Sequence, residues 1–404
     1  MNIAFFGYEN NNWIGGINYL KNLLYSIQIV ENKKYNITPF IFFKENYDES
    51  IKELFEPYAK CVFLNKYNPV PFLLRLIDKI FRRKTNFFIN YYLLKYKIDI
   101  VSHSEIDYGK IKKVKKIGWI PDFQDKHLPH LFSISELNNR EIKYKTLIKH
   151  SDILICSSHD AAKDLNIFYP GSEGKTKVLQ FVAQINPAIY DIGAYYWKQI
   201  KLKYNILDKF FFLPNKFYKH KNHMIVFEAV CELKKEGLDV LIVCTGEFSA
   251  FESEDYIDEL RRYIDYNNLN ENIKILGLIS HEEVQFFLRH SVSVINPSLF
   301  EGWSTSVEEC KSLGKNMIIS DISVHREQNP PDTIYFNPAD AKGFSYILKS
   351  KWLSSEGGPD YNLEKNSIMD LQIRMKKFGE SYIQILNEAS SLPKIKKVKA
   401  FLIV

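Results

Sequence analysis

The sequence predicts an α/β chain of two Rossmann-like domains, each a parallel sheet covered by helices on both faces. Three observations carry this. At about 150 residues per domain, 404 residues make two domains. Short apolar runs alternate with helical patterns, which implies parallel strands joined by crossover helices. The alternation runs twice, with one loosening between Gln184 and Ile206 that reads as the inter-domain connection.

In chain order, "NIAFFGY" is the first strand. Ile17, Leu20, Leu23, Leu24 and Ile27 then recur at helical spacing. "ITPFIFF", "IDIVSHS", "KKIGWIPD" and "SDILICSS" are further strands, the last followed by a helix at "HDAAKDL". The second series places strands at "FFFLPN", "LDVLIVCTG", "NIKILG", "VSVINPS", "NMIIS" and "TIYFN". Helices fall near 222–236, 254–266, 281–290 and 305–313. The expected domains are 1–190, 207–375, and a C-terminal helix with a basic and apolar tail over 376–404. In such sheets ligands sit beyond the carboxyl ends of the strands.

The formal net charge of +6 is too mild to argue for nucleic acid, and it favours anionic ligands. Five scattered cysteines form no CxxC pair, so neither a disulfide framework nor a zinc site is expected, and a reducing cytoplasm fits. The N-terminus runs straight into a strand, and no apolar run approaches the roughly 20 residues that span a bilayer.

Two loops offer charge or backbone to an anion. In "GYENNNWIGGINYL", Gly15 and Gly16 open a helix, where bare N–H groups can approach a diphosphate. The plain alternative is a tight turn. The pattern is not GxGxxG, which disfavours a dehydrogenase. In "FFFLPNKFYKHKNHM", Lys216 and Lys221 stand five apart after a strand, so two ammonium groups can grip one diphosphate. The alternative is a solvated basic loop.

"LFEGWSTSVEEC" carries Glu301 and Glu309 around Gly302, Trp303, Ser304 and Thr305. Thr305 and Glu308 have capping-box spacing, so a helix should start at Thr305. Glu309 then lies in the first turn and Glu301 in the loop ahead of it. A carboxylate accepts several hydrogen bonds, which suits vicinal hydroxyls of a sugar or a ribose. Dipole complementarity at Glu309 and simple exposure at Glu301 are the plain alternatives.

With seven residues between Glu301 and Glu309, "PSLFEGWSTSVEECKSLGKNMIISDISVHRE" resembles the C-domain signature of retaining glycosyltransferases of glycosyltransferase family 4. "LPNKFYKHKNH" and "GWIPDFQDKHLPHLFS" resemble its bacterial surface-polysaccharide branch. The likeness runs over about residues 1–330. It implies a GT-B fold, two Rossmann-like domains facing across a cleft. It implies a nucleotide diphosphate sugar donor, a glycan or lipid-linked glycan acceptor, and retention at the anomeric carbon. By position, Glu301 contacts the donor sugar, Glu309 the ribose and Lys221 the diphosphate. Gly302 through Thr305 complete the donor loop. Lys216 stands where the family has arginine, so the planar fork is lost there. Asp122 takes a place close to the family's catalytic histidine, against the alternative of capping the next turn. His103, Gln124 and His127 are acceptor-side candidates, His103 against the plain alternative of a structural histidine. Asp125 stands where the similar branch often has histidine.

No DxD motif sits at a strand end, and "ESEDYIDEL" reads as a helix start. No metal and no cofactor are therefore expected, and lysines with helix N-termini must stabilise the departing diphosphate. Residues 68–97 mix seven basic side chains with large apolar ones. They either lie on an anionic membrane surface at the inner face of the cell membrane or pack on the N-terminal domain. The expected activity is retaining, metal-independent sugar transfer in surface polysaccharide or lipopolysaccharide synthesis. A nucleotide-sugar epimerase, a phosphorylase and a non-catalytic sugar-nucleotide binder are its rivals.

Overall fold

The computed structural model describes residues 1–7, 14–30, 36–44, 49–65, 68–81, 86–104, 114–191, 193–247 and 254–393. The chain divides into two compact units. One comprises 1–125, 132–181 and 375–404; the other comprises 126–131 and 182–374. The helix Tyr361–Ser391 begins in the second and ends in the first.

The first unit holds β1 (Asn2–Phe6), β2 (Thr38–Lys44), β3 (Lys60–Leu64), β4 (Ile100–Ser102), β5 (Lys115–Ile120), β6 (Ile153–Cys156) and β7 (Thr176–Val178). They form one sheet in the order β3-β2-β1-β4-β5-β6-β7, all parallel. The central runs are buried on both faces, as parallel strands under helices must be. The helix Ile14–Val30 buries Ile17, Leu20, Leu23, Leu24 and Ile27, the stripe its spacing predicts. The end of Tyr361–Ser391 packs against it at Gly379. A Cβ there would sit 2.2 Å from the carbonyl oxygen of Ser26, so only glycine lets the two helices meet.

The second unit holds β8 (Phe211–Leu213), β9 (Ile242–Cys244), β10 (Ile273–Ile275), β11 (Val294–Asn296), β12 (Met317–Ser320) and β13 (Thr333–Phe336). Their order is β10-β9-β8-β11-β12-β13, again all parallel. This is the doubly wound order, whose reversal point lies between β8 and β11. Helices His223–Lys235, Glu254–Tyr266, His281–His290 and Thr305–Leu313 lie where the sequence predicts them.

Four expectations change. β3 and β7 were not foreseen: both are edge strands, and β7, Thr-Lys-Val, is not an apolar run. The stretch expected as the inter-domain connection holds helices Ala188–Asp191 and Gly193–Tyr204. Its Ile185, Ile189, Trp197, Ile200 and Ile206 are buried in the core of the second unit. The capping box at Thr305 does not form. Ser304 is the N-cap, its side chain accepting from no helix amide, and Glu308 is drawn into the interior by Arg374 at 3.0 Å and Gln328 at 3.1 Å. Residues 68–97 form two helices, Pro69–Phe81 and Phe87–Lys95, and their basic run Arg82, Arg83 and Lys84 lies outside the described residues. The apolar tail over 394–404 also lies outside them. All five cysteines are free.

Candidate active site

The loops leaving β8 and β11 are brought together at the reversal point of the second sheet. β8 runs into Pro214, Asn215 and Lys216, then a 3₁₀ turn over Lys219–Lys221, then the helix His223–Lys235. Asn222 takes a left-handed conformation at φ +54°, which asparagine tolerates, and joins turn to helix. β11 runs into Pro297 and Ser298, then Leu299–Trp303. The amide of Leu299 donates to the carbonyl of His220 at 2.8 Å, which pins one loop to the other.

Across this pin, Lys221 Nζ lies 2.6 Å from Glu301 Oε1. Both side chains are mostly buried, at 17% and 9% exposure, so each charge depends on the other. Burial alone raises the Glu301 carboxyl. Lys221, with His325 and His220, outweighs burial and brings it down to about 2. Glu301 is thus a carboxylate, ready to accept hydrogen bonds, at any physiological pH. Burial beside Lys221 pushes the His220 imidazole down to about 3.

A polar network holds the pair from beneath. Ser298 Oγ lies 2.7 Å from both Glu301 Oε1 and Asn296 Oδ1, and its single proton can serve only one fully. Asn296 is fully buried. It accepts from Asn215 Nδ2 at 3.2 Å and donates to Ser304 Oγ at 2.9 Å and Ser306 Oγ at 3.2 Å. One asparagine therefore joins the loop after β8 to the start of the helix Thr305–Leu313. Gln328 completes the frame: its Oε1 accepts from the Ser304 amide and its Nε2 donates to the Ser304 carbonyl, both at 3.0 Å. Gly246, after β9, must be glycine, because a Cβ there would lie 2.4 Å from the carbonyl oxygen of Asn215.

The other candidates fall as follows. Lys216 Nζ pairs with Glu247 at 2.7 Å. Gly302 and Trp303 are half-buried in the bend before the helix, Ser304 is buried, and Thr305 is the first helical residue. Glu309 is buried in the second helical turn, 2.7 Å from His281 Nε2. A carboxylate only accepts, so that nitrogen carries the proton.

In the first unit, Gly15 and Gly16 lie in the first turn of Ile14–Val30, Gly15 exposed and Gly16 buried. His103 follows β4 at φ +57°, 7% exposed. Its Nε2 meets Tyr19 Oη and its Nδ1 meets Ser102 Oγ, both at 2.8 Å. Trp119 and Tyr382 face its ring, and burial pushes the imidazole down to about 3. Asp122, two residues before the helix Gln124–His127, accepts the amide of Gln124 at 3.1 Å. Asp125 is buried under Tyr144 Oη at 2.6 Å. His127, in the short segment that belongs to the second unit, stacks on Phe300 at 5.2 Å.

Sequence reasoning missed Asn296, Ser298, His281, Gln328 and His325. Among the described residues no cluster of three metal-ligating side chains occurs.

Residues 199–353 match the family model described as glycosyl transferases group 1. The group 1 segment runs from before β8 to the helix Ala341–Ser354, so it contains Lys216, Lys221, Glu301 and Glu309. No curated protein sequence matches the chain. Solved structures are similar over nearly its whole length. A glycosyltransferase of Rickettsia africae is 16% identical with a TM-score of 0.63, over 97% of this chain and 99% of that one. Anabaena HepE, solved with UDP and glucose, is 14% identical with a TM-score of 0.64, over 96% and 99%. A variant of S. aureus TarM, solved with fondaparinux, α-GlcNAc-glycerol and UDP, is 11% identical with a TM-score of 0.64, over 97% and 100%. These likenesses give the fold, which is GT-B.

Proposed function

We propose that the chain is a retaining glycosyltransferase that moves a sugar from a nucleotide diphosphate sugar to a hydroxyl of a glycan or lipid-linked glycan. One observation carries the reading. The paired Lys221 and Glu301, with Glu309 in the second turn of the helix that follows, sit at the reversal point of the sheet within the segment that matches group 1 glycosyl transferases. Structural neighbours were solved with UDP, which supports a uridine donor as the first to try.

In this reading Glu301, kept ionised by Lys221, accepts hydrogen bonds from donor-sugar hydroxyls. Lys221 and Lys216 share their charge with the diphosphate, leaving Glu301 and Glu247 as flanking acceptors. Charge that develops on the departing diphosphate meets preorganised ammonium groups rather than a metal. Glu309 holds the two ribose hydroxyls, with His281 on its other side. Gln124 and His127 contribute on the acceptor side. The product belongs to bacterial surface polysaccharide.

A thermal-shift panel of UDP, GDP, ADP and dTDP sugars tests this. A donor at a hundred times its Kd stabilises the fold by about 2.7 kcal/mol. One nucleotide class should raise the Tm and, with an acceptor, yield nucleoside diphosphate. If none binds, the proposal fails; if one binds without turnover on any acceptor, the rival sugar-nucleotide binder takes its place.

The reading includes a peripheral contact with an anionic membrane through the helix Pro69–Phe81. Val70, Phe72, Leu73 and Leu76 are 38–58% exposed there, beside exposed Arg75 and Lys79. No helix of the described residues is long and apolar enough to cross a membrane. Replacing Phe72 and Leu73 with Asp should abolish sedimentation with anionic vesicles, and unchanged sedimentation would remove this part.

A further inference from the structure

A cavity lies in the second unit beside the first half of the helix Tyr361–Ser391. Its volume is about 860 Å³, inside the range of about 300–1,000 Å³ that holds small ligands. Lys311 and Gln328 form one wall, the loop from Asn329 into β13 a second, and the face of Tyr361–Ser391 from Leu363 to Arg374 a third. It shares no lining residue with the donor-side set.

The chemistry of the lining selects among ligand classes. Both cations are already committed. Arg374 meets Glu308 at 3.0 Å and Asp370 at 2.5 Å; Lys311 meets Glu308 at 3.3 Å and the Gln328 carbonyl at 2.6 Å. An anion would have to break a pair and would also face the carboxylates of Asp332 and Asp370. What stays open is the carboxylate of Asp332 and the amides of Asn329 and Asn366, with Pro330 and Pro331 as flat apolar surface; the Thr333 hydroxyl already donates to the Pro331 carbonyl, and Arg326 lies over the Tyr335 ring. The Pro330–Pro331 rim is fixed. Proline locks φ, and Asn329 and Asp332 on either side are left-handed at φ +43° and +47°. Amides that both donate and accept, beside flat apolar faces, match the alternating hydroxyls and C–H faces of a sugar ring.

We propose that this cavity binds a neutral carbohydrate chain. Gln328 lines the cavity and also clamps Ser304, so an occupant contacts the frame of the candidate active site.

The test applies the intact chain to an array of short neutral oligosaccharides, with sulfated and phosphorylated ones beside them. Neutral ones should be retained. Asn366→Trp, which fills the cavity from an exposed helix position, should weaken retention at least about tenfold, and Asn366→Ala about threefold. Tm and UDP affinity should stay at the wild-type values in both. Retention that survives Asn366→Trp, retention of charged glycans alone, or none at all overturns the proposal. Failure to bind any nucleotide with cavity-dependent retention intact would sink the transfer reading and leave this one standing.

Discussion

Both sheets place a buried polar group at their reversal point, and they treat it in opposite ways. The second sheet buries two opposite charges, Lys221 and Glu301, and keeps both charged by pairing them. The first buries one neutral histidine, satisfies both its nitrogens with hydroxyls, and surrounds it with aromatic rings. In the proposed reading the difference separates a site from a core. Glu301 holds unspent acceptor capacity and answers to whatever enters near Lys221. His103 has nothing left to offer a ligand without first losing a partner. The group poised for chemistry is the one whose charge is kept by a neighbour that a substrate can also contact.

The sharpest way to break this comparison is Glu301→Gln. The amide keeps the shape and removes the charge. Turnover should fall by about 10²–10³-fold, the scale of one lost electrostatic group in a catalytic site. UDP affinity by calorimetry should move by less than about threefold. Full turnover would mean that the paired carboxylate is structural, like His103. Next in size is Lys221→Met. It leaves Glu301 buried without a partner and should cost about 3–5 kcal/mol in urea unfolding. His103→Phe loses two hydrogen bonds but fills the same aromatic space, and should cost about 2 kcal/mol. Equal costs for the two would erase the distinction between charged and neutral burial.

The contrast also explains what the sequence made legible. All six strands of the second unit were readable because each is a short apolar run bounded by Pro, Gly or polar residues. Glu301 and Lys221 drew attention because charge at a strand's carboxyl end has few structural uses, and the structure pairs them. Asn296 was hidden: its role comes from two loops, distant in sequence, that the β8–β11 pairing brings together. Gln328 was hidden for the same reason, 24 residues from the Ser304 it clamps. Glu308 misled, since a local cap and a long-range ion pair with Arg374 draw on the same carboxylate, and the buried pair won. His281, which meets Glu309 across 28 residues, could have been suspected only as a histidine opening a helix. His103 was read as a possible acceptor-side group; no local pattern announces Tyr19 and Ser102 as its partners.

A smaller effect is expected at Glu309. Glu309→Ala removes the proposed acceptor for ribose hydroxyls and one partner of His281, which is 44% exposed. UDP binding should weaken about tenfold, equal to about 1.4 kcal/mol, and stability should barely change. An unchanged Kd would take Glu309 out of the site and leave the Lys221–Glu301 pair as its whole charged part.

The smallest effect is a pH signature that assigns each buried group its own window. Glu301 is held at about 2 against an ordinary 4.5. The unfolded chain takes up that proton first, so the pair's contribution is present above about pH 4.5 and is lost as pH falls toward 2. His103 is held at about 3 against an ordinary 6.5. It too stays unprotonated while the unfolded chain charges, so its contribution is present above pH 6.5 and is lost as pH falls toward 3. Buried His220, His223 and His290, also pushed to about 3, act in that same upper window. Between pH 6.5 and 4.5 the loss of stability therefore belongs to histidines, and Glu301 has not begun to contribute. His103→Phe should flatten the dependence of the urea midpoint on pH across this interval by one histidine's share. Glu301→Gln should leave that interval unchanged and flatten the fall below it. A Glu301→Gln chain with an altered slope above pH 5 would mean that the carboxylate titrates like a lone buried acid, and that Lys221 does not hold it.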